Sequence, residues 1–322
     1  MLCTKHLLFM FAACLIPLLG GSASAGRLVR ETVTLKEGGP EATICLAYRT
    51  RTVEKHPVIL MLGGLEKDKL PDWSADLVDE GYMLAAFVMA HPPDPDPNRR
   101  PVWLYFDQRF AHGYVLGGQR APGDAARVID YLVSRKDVNP AKIGWLGSSS
   151  TGIPGLSVAC HEPRLAAIVA FVSTGAYKEW LETWIPNGLW RAEDKQLWPE
   201  TLELLKEHDP ILHVKGLFPK AVLMVSGCED KVVDPKTAKS FVDAARPYYA
   251  SDPDRLRLVI YEGFGHNLPR DVVKMYAEHF FRLYMHPKNP PPPPPDYVKD
   301  LQQSVTKTQI NSADHKDITG AK

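Results

Sequence analysis

The chain has 322 residues, and its 38 basic and 38 acidic side chains give a formal net charge of zero. Hydrophobic residues make up 45% of the sequence and charged residues 24%, which are ordinary globular values and exclude a disordered or collagen-like protein. Because nucleic-acid affinity comes largely from clustered lysine and arginine, the balanced charge also argues against a nucleic-acid partner.

The N-terminal segment has the pattern of a secretory signal peptide. Lys5 and His6 precede the apolar run 7–19, and small residues follow it up to Ala25. The apolar run is shorter than the roughly 20 residues that span a bilayer, so a membrane anchor fits poorly. We expect residues 1–25 to be removed by cleavage, leaving a secreted or periplasmic chain without an integral membrane span.

The C-terminal segment differs in composition from the rest of the chain. Residues 290–295 are an unbroken proline run, and the polar tail after them has too few apolar residues to form a core. We therefore expect a folded domain over 26–286 and a proline-rich, disordered tail over 287–322. Three cysteines follow the signal peptide, and their odd number and distant spacing do not specify a disulfide pairing: Cys45, Cys160 and Cys228.

Within the domain, short apolar runs alternate with amphipathic segments, and turn-forming residues separate them. The apolar runs predict strands over 43–48, 58–62, 82–89, 142–146, 166–172, 221–226 and 256–261. The segments between them predict helices over 72–80, 124–135, 150–160, 235–249 and 268–284. Asp124 is placed as a helix N-cap and Pro235 in a first turn. Such apolar strands predict a doubly wound, mostly parallel α/β sheet with functional groups at the carboxyl ends of its strands.

One predicted strand runs directly into Gly147, a serine-rich turn and a helix. This arrangement is typical of a nucleophile elbow, whose strained serine needs small neighbours two residues away on either side. Gly147 and Thr151 flank Ser149 in this way, and Gly152 supplies the next small position. Thr151 departs from the usual second glycine. A shifted frame would make Ser150 the nucleophile, but Ser149 fits the end of the strand better.

A serine nucleophile needs a histidine to accept its proton and a carboxylate to orient that histidine. Asp230 and His266 each follow a predicted strand downstream of Ser149. They are therefore the predicted acid and base. Glu229 and Asp234 remain alternatives for the acid.

Taken in order, these segments resemble the α/β-hydrolase superfamily, and within it the dienelactone-hydrolase-like and prolyl-oligopeptidase-like catalytic domains. The resemblance covers about residues 42–286 and lies in GSSSTG at 147–152, GCEDKVV at 227–233 and EGFGH at 262–266. It implies the α/β-hydrolase fold with a helical cap insertion and catalysis through an acyl-enzyme. Dienelactone hydrolases proper carry a cysteine at the elbow, whereas this chain carries Ser149.

The oxyanion hole of such an enzyme needs two backbone N–H groups. One is that of Ser150, directly after the nucleophile. The other should follow the strand 58–62, where Gly63 and Gly64 let the backbone approach closely, and the resemblance assigns it to Leu65.

The segment 174–218 lies between two predicted strands and is rich in tryptophan. We predict that it forms the cap insertion and that Trp180, Trp184 and Trp190 line an acyl or alcohol pocket. Trp180 and Trp184 are four residues apart, a helical spacing that by default is typical of a packed helix face. The loop 91–120 is a candidate for another wall of the pocket.

The sequence as a whole predicts a serine hydrolase that cleaves a carboxylic ester, with a small-molecule ester or short peptide as substrate. A serine peptidase of prolyl-oligopeptidase type is the nearest alternative. Thr151 leaves open a non-catalytic binding protein on a hydrolase scaffold. This chemistry needs no cofactor, and no histidine after the signal peptide has ligand spacing to a second histidine or cysteine, so we expect no metal site.

Overall fold

The computed structural model describes residues 26–50, 53–65, 70–71, 73–89, 107–190 and 196–286. The predicted signal peptide and the proline-rich tail lie outside these residues, as does the first part of the loop 91–120. The strands are β1 (Leu28–Leu35), β2 (Ala42–Arg49), β3 (His56–Leu62), β4 (Met83–Met89), β5 (Val138–Ser148), β6 (Leu165–Phe171), β7 (Ala221–Gly227) and β8 (Leu256–Tyr261).

These eight strands form one sheet in the order β1-β2-β4-β3-β5-β6-β7-β8. Strand β2 pairs antiparallel with β1 and β4, and all other neighbouring strands are parallel. The carboxyl ends of β3 to β8 therefore meet at one edge of the sheet. Each predicted strand is present within a few residues of its expected bounds.

Helices cover both faces of the sheet. They are α1 (Ala75–Asp79), α2 (Gln108–Ser134), α3 (Gly152–His161), α4 (Tyr177–Thr183), α5 (Pro199–His208), α6 (Pro235–Ala245) and α7 (Arg270–Met285). Helices α2, α3 and α6 pack in one hydrophobic cluster, and α1 and α7 pack in another. Neighbouring β5 residues divide between the two clusters, Trp145 in the first and Leu146 in the second, because successive side chains of a strand face opposite ways. The predicted doubly wound α/β fold is confirmed.

Strand β1 was not predicted from the sequence. It lies at the edge of the sheet, and its residues are half-buried or exposed in an irregular pattern that includes Arg30 and Glu31. An edge strand with charged residues lacks the continuous apolar run that marks the central strands. Its pairing with β2 along the whole strand is a tertiary feature.

The predicted N-cap at Asp124 is wrong. Helix α2 begins much earlier, and Asp107 is its N-cap, with a side-chain oxygen that accepts the backbone N–H of Phe110 at 2.8 Å. Asp124 lies in the interior of this long helix.

The prediction failed because Pro122 normally ends a helix. A proline has no N–H to donate to the carbonyl four residues earlier, here that of Gly118. In this structure the hydroxyl of Ser157 on α3 donates to that carbonyl at 2.8 Å, and this bond is buried. The neighbouring helix thus supplies the hydrogen bond that the proline cannot make, and α2 continues.

Residues 174–218 are predicted to form a cap, and we call them the cap segment. Their described part contains α4, α5 and the 3-10 segment Pro210–Leu217. Most of its buried apolar side chains join Ala111 and Val115 of α2 in a third hydrophobic cluster, which also includes Val233 beyond β7. Ala176, Val214 and Leu217 belong to the first cluster instead. The segment therefore packs beside the carboxyl end of β7.

Within the described ranges, no helix is both long and apolar enough to cross a membrane. The three cysteines outside the predicted signal peptide are all free thiols: Cys45, Cys160 and Cys228.

Candidate active site

The turn after β5 has the strained geometry of a nucleophile elbow. Ser149 has φ +49°, a left-handed conformation that residues other than glycine rarely adopt. A Cβ on Gly147 would lie 2.5 Å from the carbonyl oxygen of Thr151, and one on Gly152 would lie 2.1 Å from Oγ of Ser173. Neighbouring atoms therefore leave no room for a side chain at Gly147 or Gly152, whereas Thr151 is accommodated between them.

Thr151 takes part in this turn through its hydroxyl. Its Oγ1 accepts the backbone N–H of Ser148 at 2.9 Å and donates to the carbonyl of the same residue at 3.0 Å. The departure from the usual glycine therefore adds two hydrogen bonds to the elbow and does not disturb it.

Three predicted site residues from three separate loops meet at the elbow. Nε2 of His266 lies 2.8 Å from Oγ of Ser149, and its Nδ1 lies 2.8 Å from Oδ2 of Asp230. Asp230 is buried, and its Oδ1 accepts the backbone N–H groups of Val232 at 2.8 Å and Val233 at 3.0 Å. A carboxylate offers only acceptors, so the imidazole proton belongs on Nδ1 and Nε2 is free to accept the serine hydroxyl.

The residues considered as alternatives for the nucleophile and the acid do not take part in these two contacts of His266. Ser150 is exposed on the first turn after Ser149, and Glu229 is exposed on the loop after β7. The side chain of Asp234 accepts the backbone N–H of Lys236 at 3.0 Å and caps helix α6.

A cleft of about 380 Å³ opens beside the elbow, within the size range of small-molecule sites. Ser150 and Gly63 both line it, so the two segments predicted to supply the oxyanion hole reach the same cleft. Gly63 has φ +112°, which favours glycine. Leu65 is half-buried against the core. The larger apolar side chains of the lining are Leu62, Phe87, Met89, Tyr114, Trp145 and Pro154.

The sequence profile of the prolyl oligopeptidase family matches residues 106–285, which is over half of the chain. The chain belongs to the prolyl oligopeptidase family. The matched range contains Ser149, Asp230 and His266, and family membership agrees with the α/β-hydrolase fold seen in the structure.

Similar proteins include hydrolases of different names. The 2,6-dihydropseudooxynicotine hydrolase of Paenarthrobacter nicotinovorans is 28% identical over 194 residues, covering 58% of this chain and 47% of that protein. This chain thus spans about half the length of that relative.

Solved structures share the fold at low identity. A prolyl endopeptidase structure has a TM-score of 0.61 at 20% identity, covering 81% of this chain and 39% of that one. Acetyl xylan esterase 1 from Thermoanaerobacterium sp. JW/SL YS485 has a TM-score of 0.56 at 16% identity. The match covers 82% of this chain and 86% of that esterase.

In this prolyl oligopeptidase family member, the cap segment contacts the loop that carries the acid, a feature that the sequence did not reveal. The indole N–H groups of Trp180 and Trp184 both donate to the carbonyl of Val232, at 2.7 and 3.3 Å. Nδ2 of Asn187 donates to the carbonyl of Lys231 at 3.0 Å. These carbonyls belong to the first and second residues after the buried acid. We call this set of three hydrogen bonds the acid-loop clamp.

The tryptophans predicted to line a pocket are densely packed. Trp180, Trp184 and Trp190 are 2%, 0% and 9% exposed, and the first two rings meet edge to face at 4.8 Å between centroids. They do not line the cleft beside Ser150. Their role in substrate binding stays a prediction.

Among the described residues, no three or more His, Cys, Asp or Glu side chains lie close enough together to hold a metal ion.

Proposed function

We propose that this protein is a serine hydrolase that cleaves carboxylic esters, with Ser149 as nucleophile, His266 as general base and Asp230 as the group that orients the imidazole. The observation that carries the proposal is the chain of two 2.8 Å contacts from the serine through the imidazole to the buried carboxylate. A strained, outward-facing serine beside a histidine of fixed tautomer is the arrangement that activates a hydroxyl for attack.

In the proposed reaction, Oγ of Ser149 attacks the ester carbonyl carbon while His266 takes its proton. The negative oxygen that forms accepts the backbone N–H groups of Ser150 and Leu65. The intermediate collapses as the imidazolium donates its proton to the departing alcohol, which leaves an acyl-enzyme. A water molecule then attacks the acyl carbon with the same histidine as base, and Ser149 is released.

A peptide substrate is the second candidate because the family profile that matches the chain is that of the prolyl oligopeptidases. An ester is favoured because the cleft beside Ser150 has a volume of about 380 Å³, which suits a small molecule better than an extended peptide.

We also propose that the protein is secreted or periplasmic, on the sequence pattern of residues 1–25. The folded unit would then be 26–286, with the tail as an appendage. N-terminal sequencing of the mature protein from a secreting host should begin at Gly26. An intact N-terminus in the cell interior would contradict export.

The catalytic proposal is tested with p-nitrophenyl esters and aminoacyl p-nitroanilides as substrates. We expect ester hydrolysis to exceed anilide hydrolysis, and Ser149→Ala to lower kcat about 10⁴-fold or more. Ser150→Ala is the matched control and should be mild, because only its backbone N–H is used. A larger loss in Ser150→Ala than in Ser149→Ala would contradict the assignment, and preferred cleavage of the anilides would favour the peptidase.

A further inference from the structure

The cleft beside Ser150 has one wall made of small residues on helix α2. Gly113, Gly117 and Ala121 are spaced four residues apart, and all three line the cleft. The opposite wall comes from the carboxyl ends of β3 and β4, with Leu62 and Phe87 among its residues. Open space remains between these small residues and the sheet, and this space is the cleft, which Tyr114 of the same helix also lines.

Two of the glycines in this wall have no close packing contact with the part of the chain that the structure describes. A Cβ on Gly113 or Gly117 would meet no atom of the described residues within 4 Å. By contrast, a Cβ on Gly118 would lie 2.4 Å from the ring of Tyr177, so that glycine is required by the fold. Glycine is less favourable than alanine inside a helix. We therefore infer that Gly113 and Gly117 lack side chains because side chains there would fill the cleft.

The position of the cleft decides which half of an ester enters it. The departing alcohol must lie within reach of Nε2 of His266, which donates its proton. The lining includes Ser150 and Gly63 from the oxyanion side and no residue of the loops that carry His266 or Asp230. A substrate with its carbonyl oxygen between the oxyanion donors then directs its acyl group into the cleft and its alcohol away from it.

We propose that this cleft is the acyl pocket of the enzyme and that it selects uncharged, apolar acyl groups longer than acetyl. The proposal rests on the proposed esterase function. The lining is almost entirely apolar, and Asp124 is the one charged side chain among its described residues. Such an apolar lining disfavours a charged acyl group, because moving a charge from water into it costs free energy.

Helix α2 offers a matched pair of variants. Gly117→Leu places a side chain in the cleft, where space is open. Gly123→Leu makes the same change on the same helix, where a Cβ also meets no described atom within 4 Å, but at a position outside the cleft lining. Because leucine is a better helix former than glycine, both variants should keep or raise the melting temperature of the wild type.

The measurement is kcat/KM for two pairs of esters. p-Nitrophenyl acetate and octanoate differ in the length of the acyl group, and ethyl and octyl acetate differ in the length of the alcohol. We expect the wild type to favour octanoate over acetate, and Gly117→Leu to lower octanoate hydrolysis at least about 10-fold relative to acetate. Gly123→Leu should change neither ester more than about 2-fold. The ratio of kcat/KM for octyl acetate to kcat/KM for ethyl acetate should be the same in the wild type and in both variants.

An unchanged octanoate to acetate ratio in folded Gly117→Leu would overturn the acyl pocket while leaving the esterase function intact. A selective loss on octyl acetate would overturn it by placing the alcohol in the cleft. A wild type that hydrolyses none of these esters would contradict the esterase function and the acyl pocket together.

Discussion

Asp230 is the buried residue of the proposed catalytic site, and three N–H groups point at its two oxygens. We expect Asp230→Asn to lower kcat about 10⁴-fold, because an amide can present an N–H to Nδ1 and favour the wrong tautomer of His266. The melting temperature should change little, since an amide oxygen still accepts the backbone N–H groups of Val232 and Val233.

The matched control is Asp234→Asn, which keeps a side-chain oxygen at the N-cap of α6 and should retain full activity. If Asp234→Asn lost more activity than Asp230→Asn, the acid would be wrongly assigned.

His266 makes the proposed reaction sensitive to pH. The imidazole must be neutral to accept the serine proton, so kcat/KM should fall on the acid side and favour neutral to alkaline pH. The profile is measured with an ester whose chemistry is shown to be rate-limiting. A flat profile from about pH 5 to pH 9 would argue against a histidine base.

The sequence predicted the three residues that meet at the elbow because each carries a local signal. Small residues frame Ser149, and the other two follow apolar strands in a recognisable order. The acid-loop clamp has no such signal. Asn187 and the loop that it contacts are far apart in the sequence and meet only in the tertiary structure. Side chains that act through tertiary contacts cannot be read from spacing along the chain.

At the scale of elements, the acid-loop clamp joins helix α4 to the loop after β7. We expect Trp180→Phe, which removes the 2.7 Å hydrogen bond to Val232 but keeps an aromatic ring, to lower kcat roughly 10-fold. KM should remain within about 2-fold, because the tryptophan does not line the cleft.

Trp190→Phe is the control for loss of aromatic packing in the same cluster, since Trp190 takes no part in the clamp. The acid side of the pH profile should also shift in Trp180→Phe, because loss of this hydrogen bond changes the position of the Asp230 carboxylate relative to the His266 imidazole. Equal effects of both variants on stability, with kcat and the pH profile unchanged, would show that Trp180 is only a packing residue.

Helix α2 shows why element bounds could not be taken from the sequence. The sequence predicts that a helix starts at Asp124, directly after Pro122 and Gly123. The hydroxyl of Ser157 that permits α2 to continue through Pro122 lies on another helix. The same helix carries the open glycines of the cleft. The fold class was predictable from apolar periodicity, whereas the cleft depends on how α2 packs on the sheet.

At the scale of the whole molecule, Arg135 ties the edge strand to the centre of the fold. Its guanidinium donates to Glu31 on β1 at 2.8 Å and to both oxygens of Asp137, just before β5, at 2.7 and 2.9 Å. These hydrogen bonds hold the pKa of both carboxyl groups below their ordinary values. A lowered pKa in the folded state stabilises the fold above the ordinary carboxyl range and loses that effect as pH falls.

We therefore expect the melting temperature of Arg135→Met to lie below that of the wild type at neutral pH. The difference should shrink as pH falls from about 6 to about 3, because the carboxylates that Arg135 stabilises become protonated in the wild type too. Thermal unfolding at a series of pH values measures it. A difference that stays constant over this range would show that packing of the arginine side chain, and not its charge, holds the edge strand.

The most direct test of the account is the site at which a fluorophosphonate probe labels the protein, because only an activated serine reacts. We predict a single adduct on Ser149, found by mass spectrometry of the peptide that contains the elbow. Labelling should persist in Ser150→Ala and disappear in Ser149→Ala and His266→Ala. An adduct on Ser150, or labelling that survives Ser149→Ala, would contradict the proposed catalytic site.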